Sequence, residues 1–445
     1  MKIAIIDTTK LFGSRSINKD LNGGFGTRDS FSDSIGGKIF ERLRARAVYL
    51  PYLTSVYVYS ILKQKGITVS YYHKNLPKSS YDIFLIVGSI VDYENENLLA
   101  GQLMKNYKNS KVGFIGPFPS TMPTLFPNAD FIIDGEADAF FLYEFEKINT
   151  LDGIIKVENL INMDDLPSPD YSAFPYNSFK YKPILNQSPL LSIQASRGCP
   201  YSCGYYCTYP TSQGKQVRSR SPEALVDDII FLKHNFGMKS LLFRDPIFGI
   251  NKEFPYLLSE IIQKKDIAFN WGIETRADLL NKKNLTEMYS AGLRSINIGI
   301  ETNDPDIAKK NKRKLSELNH QNKVINYCNQ LGIKVIGFFI IGLEGDSIQS
   351  VKNMIEFAIN QNIFVARFSV STPYPGTKFY DQLNKENALL NKDFNNYNQF
   401  NYVIKNKNLN KKDVEGLVSY SYRKYYLRWE KIYALLSDQI KSIWN

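Results

Sequence analysis

Cysteine and histidine are scarce in this chain, whose 445 residues contain 4 Cys and 3 His. Four cysteines over this length, three of them within residues 199–207, exclude a disulfide framework of the kind that stabilises small secreted proteins. Long apolar runs are also lacking: the run from Val335 to Leu343 is far below the ~20 residues that span a bilayer, so we expect no transmembrane helix. The first residues carry too short an apolar stretch for a secretory signal. The composition therefore predicts a soluble, cytoplasmic protein.

Aromatic residues, in contrast, are abundant, with 28 Phe and 29 Tyr, and 43% of all residues are hydrophobic. Such a chain can bury sizeable cores and does not have the composition of a disordered one. At about 150 residues per domain, its length allows about three domains. The formal charge of +11 favours an anionic substrate, a phosphate-bearing ligand or nucleic acid, or it reflects only a lysine-rich solvated surface.

Residues 1–150 alternate short apolar runs with amphipathic stretches, which predicts a doubly wound parallel α/β sheet. The predicted strands lie at 3–7, 67–72, 83–90, 111–116 and 130–136, with helices from Tyr52 to Lys65 and from Asn95 to Tyr107. Ligands of such sheets bind beyond the carboxyl ends of the strands. The residues at those ends are Gly88, Ser89, Gly116, Pro117, Ser120, Thr121, Gly135 and Glu136.

A connector at 151–189 separates this region from a second strand–helix series at 190–376. Residues 163–183 contain four prolines, which predicts an extended chain. Six strands follow, at 190–196, 240–245, 269–276, 295–301, 334–342 and 364–371, and we expect a parallel, barrel-like sheet with its chemistry at the carboxyl ends. The region 377–445 is predicted to end in a helix from about Lys412 to Ser437.

That last helix interleaves aromatic and basic residues, a pattern that also occurs in nucleic-acid stacking surfaces. Its helical period instead favours an aromatic stripe that faces the core. The predicted core face comprises Val414, Val418, Tyr425, Trp429, Ile432 and Leu436.

The segment RGCPYSCGYYCTYP at 197–210 places Cys199, Cys203 and Cys207 in one loop, directly after the first strand of the second series. Three thiolates on a short loop suit an iron–sulfur cluster or zinc. A closed structural zinc site needs a fourth ligand, and neither Cys328 nor any histidine is paired with this loop in the sequence. We therefore favour a catalytic cluster with one open coordination position, over a structural metal or incidental thiols.

This loop resembles the signature of radical S-adenosylmethionine (radical SAM) enzymes, and the preceding domain resembles the cobalamin-binding domain of the cobalamin-dependent branch. The resemblance implies a Rossmann-like cobalamin-binding domain, a partial (β/α)6 barrel and a C-terminal helical region. It also implies that Cys199, Cys203 and Cys207 hold a [4Fe-4S] cluster that binds and cleaves SAM. The usual signature has two residues between its second and third cysteines, whereas this loop has three. Tyr206 occupies the aromatic position before the third cysteine, close to the adenine.

Further residues match the family at successive strand ends. The resemblance places Asp245 in the second-strand segment, and it places Glu274 and Arg276 of WGIETRADLL where they meet the zwitterionic end of SAM. It places Glu301 of IGIET near the ribose or methionine moiety, and Gly342 in the fifth-strand segment that packs on adenine. TPYPGTKFY at 372–380 matches the sixth-strand end of the cobalamin-dependent branch.

Many cobalamin-binding domains carry an Asp-x-His-x-x-Gly motif, but none of the three histidines here has that context. The resemblance thus implies cobalamin without a protein histidine ligand. We expect the strand-end residues 116–122 and 135–136 to line the corrin or its tail. A domain that has lost cobalamin is the alternative.

The family resemblance implies a methyltransferase that acts on an unactivated carbon of a small biosynthetic intermediate, through methylcobalamin and a 5′-deoxyadenosyl radical. The branch also contains cyclases and rearrangement enzymes that transfer no methyl group. A radical SAM enzyme that modifies RNA is another alternative. It is disfavoured because methylthiolating enzymes of that kind carry three further cysteines in their N-terminal domain, whereas residues 1–190 here contain none. A non-catalytic cobalamin or cluster carrier is a further alternative. The expected partners are a small-molecule substrate, for which the net charge favours an anion, and a reductant such as flavodoxin or ferredoxin.

Overall fold

Two six-stranded parallel sheets form the framework of the protein, in a computed structural model that describes residues 1–10, 17–29 and 35–435. The strands are β1 Lys2–Ile6, β2 Ile17–Asn18, β3 Thr27–Arg28, β4 Val48–Tyr49, β5 Thr68–Tyr72, β6 Ile83–Val87, β7 Lys111–Ile115, β8 Phe131–Asp134, β9 Gly153–Lys156, β10 Lys180–Tyr181, β11 Leu190–Ile193, β12 Ser196–Arg197, β13 Arg218–Ser219, β14 Ser240–Phe243, β15 Asn270–Thr275, β16 Leu293–Glu301, β17 Lys334–Ile341 and β18 Val365–Val370.

The helices lie mostly between successive strands. They are α1 Ile35–Ala47, α2 Leu53–Gln64, α3 Tyr93–Asn106, α4 Pro117–Thr121, α5 Ala137–Tyr143, α6 Tyr209–Gln213, α7 Pro222–Phe236, α8 Phe254–Lys264, α9 Lys282–Ser290, α10 Pro305–Lys310, α11 Leu318–Leu331, α12 Ile348–Asn360, α13 Lys378–Lys385 and α14 Lys411–Tyr426. No described helix combines the length and the apolar character needed to cross a membrane.

The first sheet has the strand order β5-β1-β6-β7-β8-β9, and its neighbouring strands all run parallel. Its central strands are uninterrupted apolar runs because both of their faces are covered; all five residues of β6 are buried. Strand β1 pairs with β5 on one side and β6 on the other, so the order reverses there and a crevice opens beyond the strand ends. The sixth strand, β9, was not predicted.

The second sheet follows the sequence order β11-β14-β15-β16-β17-β18, again with parallel neighbours. All six strands lie where the apolar runs predict them, within two or three residues at each end. Helices α7, α8, α9, α11 and α12 connect consecutive strands, so the carboxyl ends of the six strands meet at one edge. The mixed α/β class with parallel sheets is therefore confirmed.

The connector between the sheets is packed against both of them. The buried Tyr171 donates its hydroxyl to the Ser192 carbonyl on β11, 2.5 Å away, and Lys180 and Tyr181 pair with β4. The hydroxyl of Tyr181 reaches Asn297 on β16 at 3.1 Å. The proline-rich stretch thus fixes the first region to the base of the second sheet.

Helix α14 is shorter than predicted. It begins with a capping box at Asn410 and ends at Tyr426, and helical turns resume only at 429–435. Val414, Val418 and Tyr425 are buried as expected, but Trp429 is 83% exposed, so its predicted place on the core face is wrong. The break after Tyr426 shifts the helical phase, which turns Trp429 away from the core; Leu436 lies outside the described residues.

Candidate active site

A closed hairpin after β11 carries the three clustered cysteines. The antiparallel pair β12–β13 joins its two ends, and the Cys199 amide donates to the Gly214 carbonyl at 3.1 Å. Gly198 has φ +86°, and a Cβ there would lie 1.9 Å from the Gln216 carbonyl oxygen, so the close approach of the two arms needs glycine. The hairpin therefore holds the segment 199–207 in a defined position.

The additional residue of the cysteine loop is taken up in one helical turn. Residues Ser202–Tyr205 form a 3-10 turn, and the Cys207 amide donates to the Cys203 carbonyl at 3.0 Å. Within this turn two neighbouring tyrosines point in different directions. Tyr205 contacts Phe379 and donates to Gln382 at 2.7 Å, whereas Tyr206 lines a cavity.

All three cysteines are free thiols, with Cys199 and Cys203 buried and Cys207 partly buried. Burial raises the pKa of Cys199, and the neighbouring Cys203 raises it further. Burial likewise raises the pKa of Cys207 well above its ordinary value, with Cys203 and Cys199 adding to the effect. The thiols are thus close enough to influence one another, and metal binding must release their protons.

A cavity of about 170 Å³, here called the cluster cavity, lies beside the cysteine loop at the carboxyl ends of the second sheet. Four residues predicted from the sequence line it: Tyr206, Cys207, Glu274 and Glu301. Burial raises the pKa of both glutamates, although Arg244 works against this for Glu274. The cavity also has walls from the loop after β1 and from β17 and β18: Leu21, Asn22, Thr208, Tyr209, Phe338, Phe339, Ile340, Arg367, Ser369, Val370, Ser371, Thr372, Tyr374 and Gln399.

Arg313 was not predicted, yet it connects the cysteine loop to the cavity wall. Its Nη1 lies 3.8 Å from the Cys203 sulfur and 3.9 Å from a Glu301 carboxylate oxygen, and its Nη2 donates to the Gly299 carbonyl. In the sequence it lies within the basic run KKNKRK at 309–314, a pattern that predicts a solvated surface. Only its position after the fourth-strand motif could have singled it out.

Three residues predicted to bind a cofactor, Asp245, Arg276 and Gly342, are not among those that line the cluster cavity. Asp245 accepts hydrogen bonds from the Ala195 amide at 2.8 Å and from the Ser196 hydroxyl at 2.6 Å, so it anchors β12. Arg276 pairs with Asp278 at 2.8 Å and lies over the Tyr201 ring, 4.3 Å from its centre.

Gly342, the third of these, borders a different cavity of about 580 Å³ on the outer side of the cysteine loop, which Tyr205 also lines. Its amide donates to Asp346 at 2.9 Å.

A further cavity of about 260 Å³, here called the inter-sheet cavity, opens at the carboxyl ends of the first sheet. The strand-end residues predicted to bind a cofactor form one wall: Gly116, Pro117, Ser120, Thr121, Gly135 and Glu136. They are faced by Gln194 and Arg244, which follow β11 and β14, by Arg197 of β12, and by Asp20, Gly23 and Gly24 of the loop between β2 and β3. Tyr209 lines both this cavity and the cluster cavity, so the two are neighbours.

Gly88 and Ser89 lie beneath this wall. A Cβ on Gly116, whose φ is +121°, would come 2.9 Å from the Gly88 carbonyl oxygen. Ser89 is buried and donates through its amide and its hydroxyl to Glu96, at 2.8 and 2.7 Å. Gly88 thus packs against the start of the loop at Gly116, and Ser89 is held by α3.

Buried ion pairs close the inter-sheet cavity at its sides. Arg197 pairs with Asp138 and lies 3.5 Å from Glu136, which Arg218 also contacts at 2.7 Å. Burial alone would raise the pKa of Glu136, but Arg197 and Arg218 outweigh burial and lower it. Arg244 pairs with Asp20 at 2.6 Å. The pairs of Arg197 and Arg218 join the cysteine hairpin to the first region, and the pair of Arg244 joins the end of β14 to it.

Residues 193–358 match the model of the Radical SAM superfamily. They form a radical SAM domain of this chain. The match spans the cysteine loop and β14 to β17, and the family predicted from that loop is confirmed.

Curated relatives of this radical SAM protein include two methyltransferases. An uncharacterized methyltransferase of Pyrococcus horikoshii is 26% identical over 319 residues, 68% of this chain and 68% of the relative. The bacteriochlorophyllide d C-12(1)-methyltransferase of Chlorobaculum tepidum is 25% identical over 336 residues, 74% of this chain and 72% of the relative. The chain is thus similar to methyltransferases over most of its length.

A solved structure with a similar fold is that of the cobalamin-dependent S-adenosylmethionine radical enzyme OxsB, with aqua-cobalamin and S-adenosylmethionine bound. It has a TM-score of 0.68 at 13% identity and covers 99% of this chain and 72% of its own. At this identity the comparison shows the fold of the radical SAM protein.

The donor set of the radical SAM protein fits an iron–sulfur cluster, because the cysteine loop offers three neighbouring thiols and no oxygen or nitrogen ligand of its own. Among residues 1–10, 17–29 and 35–435, no three Cys, His, Asp or Glu side chains converge on a point that could hold a single metal ion. Tyr206 lines the cluster cavity, and its hydroxyl is buried without a hydrogen-bond partner within the described part of the chain, as expected for a side chain that meets a ligand there.

Proposed function

We propose that this protein is a cobalamin-dependent radical SAM methyltransferase that acts on an unactivated carbon of a small biosynthetic intermediate. The observation that carries this proposal is the adjacency of two cavities. One lies beside three clustered cysteines, the other lies at the strand ends of a doubly wound sheet, and they meet at Tyr209. Two cofactors held in these cavities would face the same substrate.

Beside the cluster cavity, Cys199, Cys203 and Cys207 would hold the [4Fe-4S] cluster, and the cavity would take SAM. When bound, the cluster would supply the electron that cleaves SAM, and cobalamin would carry the methyl group. Glu274 and Glu301 would accept hydrogen bonds from the amino group and ribose of SAM, and Tyr206 would pack beside the adenine. Asp245, Arg276 and Gly342 act indirectly, through the loop segments that they hold in place.

In the inter-sheet cavity, the wall of Gly116, Pro117, Ser120, Thr121 and Gly135 binds cobalamin, supported from beneath by Gly88 and Ser89. Glycine at 116 and 135, with φ of +121° and +125°, brings the backbone close to the ligand without a side chain in between. Glu136 fixes this wall to Arg218. The described residues that line the cavity include no histidine.

The proposed organisation follows from these sites: a Rossmann-like cobalamin-binding domain at 1–150, a connector at 151–189, a partial (β/α)6 radical SAM barrel at 190–376 and a C-terminal helical region at 377–445. The proposed location is the cytoplasm. The partners are a small-molecule substrate and a one-electron reductant such as flavodoxin or ferredoxin, and neither a membrane nor a nucleic acid takes part.

Anaerobic purification followed by cofactor and product analysis tests this function. We expect bound iron, sulfide and cobalt, and release of both 5′-deoxyadenosine and S-adenosylhomocysteine under reducing conditions. Cys207→Ala should lose 5′-deoxyadenosine formation, whereas Cys328→Ala, which removes a buried thiol from α11, should retain it. 5′-Deoxyadenosine without S-adenosylhomocysteine or a methylated product would instead identify a cyclase or rearrangement enzyme, and a cluster without any SAM cleavage would identify a carrier.

A further inference from the structure

Arg367 lies on β18 with its side chain at the wall of the cluster cavity. Of the described residues that line this cavity, it is the one cation. Its Nη2 donates to the Gln399 side chain at 3.0 Å, but its Nε is buried and has no hydrogen-bond partner in the described part of the chain. A buried donor of a charged group is rarely left without an acceptor. The cavity is therefore where a missing acceptor would bind.

A second guanidinium lies near Arg367. Burial lowers the pKa of Arg367, and the nearby guanidinium of Arg44 lowers it further, while Asp29 acts in the opposite direction. Asp29 is itself paired with Arg44 at 3.1 Å. An anion bound at Arg367 would offset the cost of burying its charge beside Arg44.

The polar groups of the cavity are divided between two sides. Glu274 and Glu301 lie on the strands that face the cysteine loop, and Arg244 and Arg313 already pair with them at 3.6 and 3.9 Å. On β18, which β17 separates from β16, Arg367 is followed along the strand and its extension by the hydroxyl-bearing Ser369, Ser371 and Thr372. A guanidinium with neighbouring hydroxyls is a typical binding site for a carboxylate or phosphoryl group.

We propose that Arg367 anchors an anionic group of the substrate, a carboxylate or a phosphoryl group, and so selects anionic substrates. This inference rests on the proposed function, in which the substrate enters the cluster cavity. The same chemistry could come from two sources, since SAM also carries a carboxylate. The acidic side of the cavity suits the amino end of SAM, and the basic side is left for the substrate.

Calorimetric titration of the full-length, cluster-loaded protein with benzoate and with the neutral benzamide tests the anion preference. Wild-type protein should bind benzoate at least about tenfold more tightly than benzamide, Arg367→Gln should lose this preference, and Arg367→Lys should retain part of it. Arg294→Gln serves as the matched control, because Arg294 lies at the start of β16 and donates to the Tyr289 carbonyl, away from the cavity. Equal binding of benzoate and benzamide by wild-type protein would overturn the proposal.

A titration with SAM separates the two sources of the anion. Arg367→Gln should bind SAM with an affinity within about twofold of wild type if Arg367 serves the substrate. A loss of SAM affinity of tenfold or more, about the same as the loss for benzoate, would assign Arg367 to the SAM carboxylate and overturn the proposal. Both titrations measure binding, so they give a result even if the protein releases no 5′-deoxyadenosine and the proposed function fails.

Discussion

Arg313 is the residue that most directly couples the cysteine loop to the charges around it. Its guanidinium lies 3.8 Å from the Cys203 sulfur and is partly buried, with Glu301 as its ion-pair partner. Positive charge and N–H donors near ligand sulfurs favour the reduced form of an iron–sulfur cluster. Arg313 is therefore expected to raise the reduction potential of a cluster held by this loop.

Arg313→Met should lower that potential by up to about 60 mV, because a hydrogen bond to a charged group is worth about 1.5 kcal/mol and 59 mV corresponds to a factor of ten for one electron. Redox titration monitored by electron paramagnetic resonance measures the shift in the reconstituted protein. Lys314→Met removes an exposed charge from the same basic run and should leave the potential within a few millivolts of wild type. An unchanged potential in Arg313→Met would show that the guanidinium does not act on the sulfur.

Asp245 gives the chain a buried carboxyl group with an unusual titration. Burial raises its pKa to about 7, although hydrogen bonds from Ser196 and Ala195 act in the opposite direction. A carboxyl group whose pKa is raised in the folded state binds protons more tightly there than in the unfolded chain. Its contribution to stability is therefore present at low pH and is lost as the pH rises from about 4 to about 7.

Asp245→Asn abolishes this titration. The stability of wild-type protein relative to the variant should fall between pH 5 and pH 8 by roughly 2 kcal/mol, part of the ~4 kcal/mol that a full shift of about three units represents. Urea denaturation at the two pH values measures the difference. Asp152→Asn, which removes an exposed carboxylate, should follow the wild-type dependence on pH. A constant difference between wild type and Asp245→Asn would contradict a raised pKa.

At the scale of elements, the strands were predictable because their physical cause is local. A parallel strand covered on both faces must be a continuous apolar run, and β6, β14 and β17 are such runs. Strand β9 was missed because it lies at the sheet edge with three of its four residues exposed, so its sequence need not be apolar. The C-terminal helix was predicted too long because the helical spacing of apolar residues continues past Tyr426, where α14 ends.

The site was predictable only in part, for a different reason. A motif gives the position of a residue along its strand, but the direction of its side chain depends on partners far away in the chain. Arg276 turns to Asp278 and Tyr201, and Asp245 turns to the backbone of β12. Arg313 reaches Cys203 across 110 residues, a contact that no local pattern indicates.

The geometry of the cysteine hairpin can be tested with single glycine substitutions. Gly198→Ala would place a Cβ 1.9 Å from the Gln216 carbonyl oxygen and would also require a positive φ from alanine. The two arms of the hairpin would have to separate, at a cost of about 2–4 kcal/mol in the free energy of unfolding. We expect iron incorporation during anaerobic reconstitution to fall severalfold, with a lowered melting temperature.

Gly214→Ala is the matched control for Gly198→Ala. Gly214 lies in the same hairpin with φ +77°, but a Cβ there meets no atom within 4 Å. Because its ψ of 178° places it in a region that essentially only glycine adopts, alanine there should cost about 1–3 kcal/mol of stability from backbone strain alone, and the variant should retain its iron. Equal iron contents in the two variants would show that cluster assembly does not depend on the close approach of the two hairpin arms at Gly198.

At the scale of the whole molecule, the two sheets are joined by buried charges placed around the inter-sheet cavity. Arg197 of β12 meets Asp138 of α5, and Arg244 beyond β14 meets Asp20 of the loop after β1. These pairs are also the side walls of the proposed cobalamin site. The relative position of the two sheets and the shape of that site therefore depend on the same few contacts.

Asp138→Ala tests this dependence. It leaves the Arg197 guanidinium buried, with Glu136 at 3.5 Å as its remaining acidic neighbour, and removing one partner of a buried pair costs about 3–5 kcal/mol. We expect a loss near 3 kcal/mol in the free energy of unfolding measured by urea denaturation, since Glu136 compensates in part. Because the lost contact joins the sheets, scanning calorimetry should resolve two transitions where wild-type protein shows one.

Glu260→Gln, which breaks an exposed pair with Lys264 on α8, is the control: it should cost less than about 0.5 kcal/mol and keep the single transition. A single transition in Asp138→Ala at nearly wild-type stability would mean that other contacts, such as the connector around Tyr171, hold the sheets together.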